Sequence, residues 1–325
     1  MKFAPLFRIL AALAFVALMN PASNAYAAGK PVRIFIFASG GPVDFVARTV
    51  AARLEKILDA PVVVEARPGA NGVVAANATV GSAPDGTTLF FSSSGLFTIS
   101  PTLTKLPFDP DKDLVPVGRV VNPVSALAVD ANLPVKDLKE FVAHVKGSKT
   151  PVQFGTPGIG NITQLWIEQL KASTKVDITL VPYNGVAPAL NDILGGRIAG
   201  TMADMPAFKE LAEAGKLKIL GIVGNDRSPA APNIPTIREQ GFSGVDTLNW
   251  YALFAPAKTP ADVIAQINKA VGESLADPEV QQKLRAMGME PAPSSPDALQ
   301  KALLADRATL AKVIKDNNIS IEPPN

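Results

Sequence analysis

Short runs of β-branched and aromatic residues alternate along this chain with longer stretches whose apolar residues recur every three or four positions. In "KPVRIFIFA" (30–38), Val32, Ile34, Phe35 and Ile36 give a buried strand. In "DFVARTVAARLEKIL" (44–58), Val46, Val50, Leu54, Ile57 and Leu58 fall on one helical face. "PVVVEARPG" (61–69) predicts a second strand, 71–86 a helix stopped by Pro84-Asp85-Gly86, and "TTLFFSSSG" (87–95) a third strand running into small polar residues. Such alternation predicts a mostly parallel sheet flanked by helices.

From 114 to 135 the chain is apolar but broken at Pro116 and Pro123, and a short helix is expected over 137–148. Then the opening order returns: "PVQFGTPGIGNITQLWIEQLKAST" (151–174) is again strand, glycine turn and helix. Strands follow at 177–183 and 217–224, with a helix at 186–196 closed by Gly195-Gly196, and a strand, an Asp loop and a helix over 197–215. A last strand at 246–256 precedes two helices, 260–276 and 296–317. The pattern predicts two similar α/β lobes.

The N-terminus stands apart. Lys2 and Arg8 precede an apolar run from Ile9 to Met19, and small residues surround Ala25-Tyr26-Ala27. This is the order of a secretory signal peptide, over 1–27, with cleavage expected after Ala27. The run is shorter than the roughly 20 residues that span a bilayer. No cysteine follows it, so no lipid anchor is expected. Removing 1–27 takes away two basic residues and no acid, so 31 Lys and Arg become 29 against 29 Asp and Glu. A formally neutral mature chain offers no basic excess to nucleic acid.

Catalytic and metal-binding residue types are scarce. The chain has no Cys and one His, His144, which falls between charged residues on a helix and reads as a surface position. Ser-His-Asp and Cys-His triads, thiolate sites and His-rich metal sites are therefore excluded. "GFSG" (241–244) is too short for a nucleophile elbow, and Asp111 and Asp113 sit in a proline-rich loop as solvated carboxylates. "GTPGIGNIT" (155–163) reads G-x-x-G-x-G, not the dinucleotide G-x-G-x-x-G, and no G-K-[ST] follows either glycine loop. No cofactor or metal is expected.

What remains is two glycine turns, each opening a helix. N–H groups at a helix start are unpaired, the helix dipole adds partial positive charge, and glycine lets an anion approach. No Lys or Arg lies between Phe35 and Val46. A dicarboxylate seated on N–H groups and hydroxyls needs none, given several donors per oxygen. Two such seats, one per lobe, would face each other across a cleft. Ser39, Gly40 and Gly41 belong to the first loop, Ser92, Ser93 and Ser94 to the third strand's loop, and Thr156, Gly158, Asn161, Ile162 and Thr163 to the second lobe. Phe97 and Trp166 follow glycine loops, one in each lobe. Facing the cleft, they would sandwich an apolar or aromatic ligand body; the alternative is that each packs inside its own lobe.

The segments "KPVRIFIFASGGPVD", "PVVVEARPGANG", "APDGTTL", "LPFDPDKDLVPVGRV", "VPYNGVAPALNDILGG", "AGKLKILGI" and "LNWYALFAPAKTP", in this order, carry a resemblance over nearly the whole mature chain. It resembles the Bug family of periplasmic solute-binding proteins, the extracytoplasmic receptors of tripartite tricarboxylate transporters. The resemblance implies a two-lobed periplasmic-binding-protein (flytrap) fold with crossing hinge strands, one lobe from 28–124 plus 248–325 and the other from 125–247. It implies a monomer that captures a small carboxylate for membrane transporter subunits. A receptor that presents ligand to a sensor kinase, or a hydrolase, stays as an alternative. To the loop residues it adds Asp44, Tyr183 and Asp204 as ligand contacts. The chain departs from the family's pattern at Ala38-Ser39, where prolines are usual, at Asn184 in a common Lys place, at Ala203-Asp204, where Asp-Asn is common, and at Leu96-Phe97.

Overall fold

The computed structural model describes residues 30–316, and the signal peptide expected over 1–27 lies outside them. Two sheets organise the chain. In the first, β1 (Val32–Ile36) pairs in parallel with β2 (Val62–Ala66) and β3 (Thr88–Ser93). Beyond β3 come β10 (Tyr251–Pro256), β4 (Leu114–Pro123) and β11 (Met289–Pro291), each antiparallel to its neighbour. In the second, β6 (Val152–Thr156) lies parallel between β7 (Ile178–Pro182) and β8 (Gly200–Asp204). Next to β8 are β5 (Ser125–Asp130) and then β9 (Leu217–Ile222), both antiparallel. The two orders are equivalent. In each, the antiparallel strand beside the parallel trio is the one that arrives from the other lobe, β10 in the first and β5 in the second.

Helices cover the sheets. The first lobe carries α1 (Gly41–Leu58), α2 (Val73–Val80), α3 (Gly95–Thr98) and α4 (Ser100–Leu103). The second carries α5 (Leu138–Gly147), α6 (Ile162–Thr174), α7 (Val186–Leu194) and α8 (Lys209–Glu213). Then come α9 (Ala261–Ala276), α10 (Pro278–Ala286) and α11 (Pro296–Asp316). Helix α1 starts at Gly41, three residues before the periodic stripe, because Pro42 sits in the first turn, where no N–H is needed. It buries Val43, Val46, Ala47, Val50, Ala51 and Leu54 against the first sheet. Fully burying a Val or Leu is worth about 1.5–3 kcal/mol, so this face holds the helix and with it the glycine turn that precedes it.

The broken apolar run resolves into β4 and β5, one in each sheet, with Val124 between them. The Val124 N–H donates to Gly288 O of the first lobe (2.8 Å), and its carbonyl accepts from Met205 N of the second (2.7 Å). The C-terminal helix departs from the expected partition. Leu299 and Leu303 of α11 lie in a core cluster of the first lobe, whereas Leu310 and Ile314 lie in the core of the second. At the crossing point Asp306 accepts from Trp250 Nε1 (2.9 Å), and Arg307 donates to Phe97 O (2.7 Å) and to both carboxylate oxygens of Asp111 (2.6 and 2.9 Å). Asp111 is thus an anchor of α11, not a free surface carboxylate.

Candidate functional site

In open α/β sheets, ligands bind beyond the carboxyl ends of the parallel strands. Here those ends are Ile36, Ala66 and Ser93 in the first lobe and Thr156, Pro182 and Asp204 in the second. The two sets meet. Asn71 Nδ2 donates to Gly160 O across the lobes at 3.4 Å, and a Cβ on Gly95 would stand 3.8 Å from Ile162 N. Asn71 and its neighbour Ala70 hold left-handed backbone (φ +52° and +45°), a conformation that non-glycine residues adopt at a cost. An unrelated open groove at the opposite end of the second sheet, between Asp130, Thr150, Thr179 and Arg197, carries none of this chemistry.

The first glycine turn is open. Ser39, Gly40 and Gly41 are exposed, and no atom lies within 4 Å of where a Cβ on either glycine would stand. Gly41 holds φ +74°, which disfavours any side chain there. The Gly40 N–H is already taken by the Asp44 carboxylate (3.0 Å), whose other oxygen accepts from Arg48 Nε (2.7 Å). Asp44, expected at the ligand, braces the turn instead. Gly41 and Val43, in the first turn of α1, have no intrahelical acceptor for their N–H groups, and Pro42 has no N–H at all.

The second turn is built alike but closed. The residue four places after the glycine again turns back on it, Gly160 N donating to Gln164 Oε1 (2.7 Å). Asn161 caps α6 by accepting from Gln164 N (3.0 Å) and donates to Pro157 O (2.8 Å), while the Thr156 hydroxyl donates to Gly158 O (2.8 Å). Residues 160–164 are buried. The side chains of Thr156 and Asn161 therefore serve the loop, and what it offers a ligand is the backbone N–H groups of Ile162 and Thr163. The expectation of two equivalent seats is corrected: one is exposed, the other roofed by the start of α3.

At the hinge, two of the expected residues, Ser94 and Asp204, join a buried network. Ser94 Oγ donates to Asn249 Oδ1 (2.9 Å), and Asn249 Nδ2 donates to Asp204 Oδ2 (3.1 Å). Asp204 Oδ2 also accepts from the Tyr251 hydroxyl (2.5 Å), and Oδ1 accepts from Ser125 Oγ (2.6 Å). Burial pushes the Asp204 carboxyl above its ordinary value, against the pull of these three hydrogen bonds, and burial beside Asp204 pushes the Tyr251 hydroxyl up strongly. Ser93 is partly exposed at the end of β3, and its hydroxyl has no hydrogen-bond partner among the described residues.

Two site assignments, Phe97 and Tyr183, change, and the alternative that Phe97 and Trp166 pack inside their own lobes is the one observed. The Phe97 ring is fully buried and stacks on Phe254 at 3.9 Å with 16° between planes, so it faces the first lobe's core and not the cleft. Trp166 is 1% exposed and donates from Nε1 to Thr247 O (2.7 Å), so no aromatic sandwich exists. The Tyr183 hydroxyl is committed to Asp192 (2.7 Å); burial and this bond raise it to about 12. Asp192 is in turn held below the ordinary carboxylate range by Arg197 and Tyr183. Asn71, Ser125, Asn249 and Tyr251 were not expected. The signal available for two of them was polar residues, Ser125 and Asn249, set inside or beside apolar strand runs.

Among the described residues no group of three or more His, Cys, Asp or Glu is placed to hold a metal, and no helix is long and apolar enough to cross a membrane. Residues 46–319 match the family model for the tripartite tricarboxylate transporter family receptor. BugT of Bordetella pertussis is 31% identical over 296 residues, covering 90% of this chain and 91% of BugT. A solved R. palustris protein in complex with adipate superposes with a TM-score of 0.85 at 32% identity, covering 90% of this chain and 98% of that one. MatC from Rhodopseudomonas palustris, solved with bound malate, gives 0.80 at 31% identity, covering 88% and 99%.

Proposed function

The chain belongs to the tripartite tricarboxylate transporter receptor family, and from that premise we propose that it captures a small dicarboxylate in the periplasm and presents it to the membrane subunits of such a transporter. The observation that carries this reading is the first glycine turn. It sets an exposed Ser39, Gly40 and Gly41 at the start of an 18-residue helix whose first N–H groups, those of Gly41 and Val43, have no intrahelical acceptor, with no Lys or Arg in the turn itself. Such a seat holds an anion by hydrogen bonds and the helix dipole alone. Ser93 at the end of β3 and the N–H groups of Ile162 and Thr163 at the start of α6 are the donors this reading assigns to a second carboxylate. The two relatives were solved with adipate and malate, both aliphatic dicarboxylates.

In this reading 28–124 with 248–303 forms one clamp jaw and 125–247 the other, the end of α11 reaching across to the second, and the protein works as a monomer without cofactor or catalysis. Phe97 and Trp166 lie in the cores, so neither ring selects an aromatic acid. Calorimetry of the purified protein with aliphatic C4 to C6 dicarboxylates tests the reading. One-to-one binding at micromolar Kd or tighter is expected; no binding of any of them at about 1 mM, equivalent to roughly 4 kcal/mol, retires it.

A further inference from the structure

We propose that Asp204 is a specificity-determining residue of the cleft, accepting a hydrogen bond from a hydroxyl or ammonium group on the bound carboxylate, so that donor-bearing acids are selected over plain ones. This rests on the carboxylate-receptor reading above and sharpens it.

A carboxylate offers about four acceptor positions, two on each oxygen. Asp204 Oδ2 uses both of its own, for Asn249 and Tyr251, while Oδ1 takes only Ser125 among the described residues. One acceptor position is left on a side chain that is 8% exposed and stands at the carboxyl end of β8, where the lobes meet. All three partners are neutral, and no Lys or Arg is among the groups that act on it. A buried carboxylate without a cation is under-compensated. A ligand that brings its own donor fills the vacant position and, if an ammonium, supplies the missing charge. A plain dicarboxylate does neither and sets like charge nearby.

The chemistry of the amide replacement sharpens the test. In Asp204→Asn, the two donors at the Oδ2 place hold the amide oxygen there, so the amide nitrogen lands at the Oδ1 place. An acceptor becomes a donor, and the preference between donor-bearing and plain acids should vanish or invert.

The experiment is titration calorimetry of wild type, Asp204→Asn and Ser125→Ala with succinate, malate, aspartate and adipate. In wild type, malate or aspartate should bind at least tenfold more tightly than succinate, about 1.4 kcal/mol. Asp204→Asn should erase that ratio. Ser125→Ala, which frees a second position on Oδ1 for a ligand donor, should raise the ratio, and if Asp204→Asn does not fold, a ratio that stays level or falls in Ser125→Ala overturns the role. Equal affinities in wild type, binding of succinate or adipate alone, or a ratio that survives in Asp204→Asn overturns the role of Asp204 while leaving the receptor reading standing. If none of the four acids binds, the receptor reading falls and takes this inference with it.

Discussion

The Asp44 carboxylate accepts a hydrogen bond from the Gly40 N–H at 3.0 Å, closing back across the first turn of α1 and leaving the Gly41 N–H as the next donor in open space. Gly41→Val puts a branched side chain into that space and into φ +74°. We expect a stability loss of about 1–3 kcal/mol from the backbone and at least a tenfold loss of carboxylate affinity, about 1.4 kcal/mol. Thermal melting establishes that the variant is folded, and calorimetry reads the affinity. A folded variant with wild-type affinity places the seat elsewhere.

Phe97→Ala should act on stability and not on selectivity. The ring is fully buried against Phe254, so its removal leaves a cavity and a cost of about 3–5 kcal/mol. Urea unfolding measures that loss. The ratio of affinities for an aromatic and an aliphatic dicarboxylate should be unchanged in whatever fraction remains folded; a shifted ratio would return Phe97 to the cleft.

Asp204 also makes stability depend on pH. Its carboxyl is raised in the folded protein and ordinary in the unfolded chain. As pH climbs past the ordinary carboxyl value, the unfolded state releases its proton first and the folded state still holds one. Fewer protons on the unfolded state mean that stability falls with rising pH in this window. The contribution is fully present below the ordinary value and is lost as pH rises through the folded one. Asp204→Asn cannot titrate, so its stability relative to wild type should improve steadily from about pH 4 upward. Urea unfolding of both proteins across that range is the check, and a difference that stays flat with pH refutes it.

Closure of the jaws should be visible in solution. The Asn71 to Gly160 contact joins them at the cleft, and the Asn71 side chain makes it from a left-handed backbone. Solution scattering should show a smaller radius of gyration with saturating ligand than without. Asn71→Ala, losing one hydrogen bond of about 0.5–1.5 kcal/mol, should weaken binding by roughly two- to tenfold with little change in melting. An unchanged radius counts against the clamp.

The strands and long helices were legible because their apolar residues keep a period, as in Val46, Val50 and Leu54 of α1. Helices α3 and α4 were not, since four-residue helices show no period. Helix α10 was missed although Asp277 caps it, its side chain accepting from Glu279 N and Val280 N, because only Val280 and Leu284 are buried in a polar stretch. At the site, the glycine turns were readable from composition. Which donors are free was not, because that depends on bonds such as Gly160 to Gln164 that only folding closes. Phe97 misled for a related reason: a ring after a glycine loop points to a cleft or a core with equal ease, and Phe254 from a distant strand decided it.

Helix α11 sets an order of events for the nascent chain. Leu310 and Ile314 complete the second core, yet they are synthesised after every other residue in it. The first sheet is interrupted in the same way, since β10 and β11 follow the entire second lobe in the chain. Domains commonly fold as units while they emerge, the first ahead of the second. Here neither lobe can finish early. A chain halted before residue 310 has every buried residue of the first lobe's core but leaves the second core open where Leu310 and Ile314 will sit.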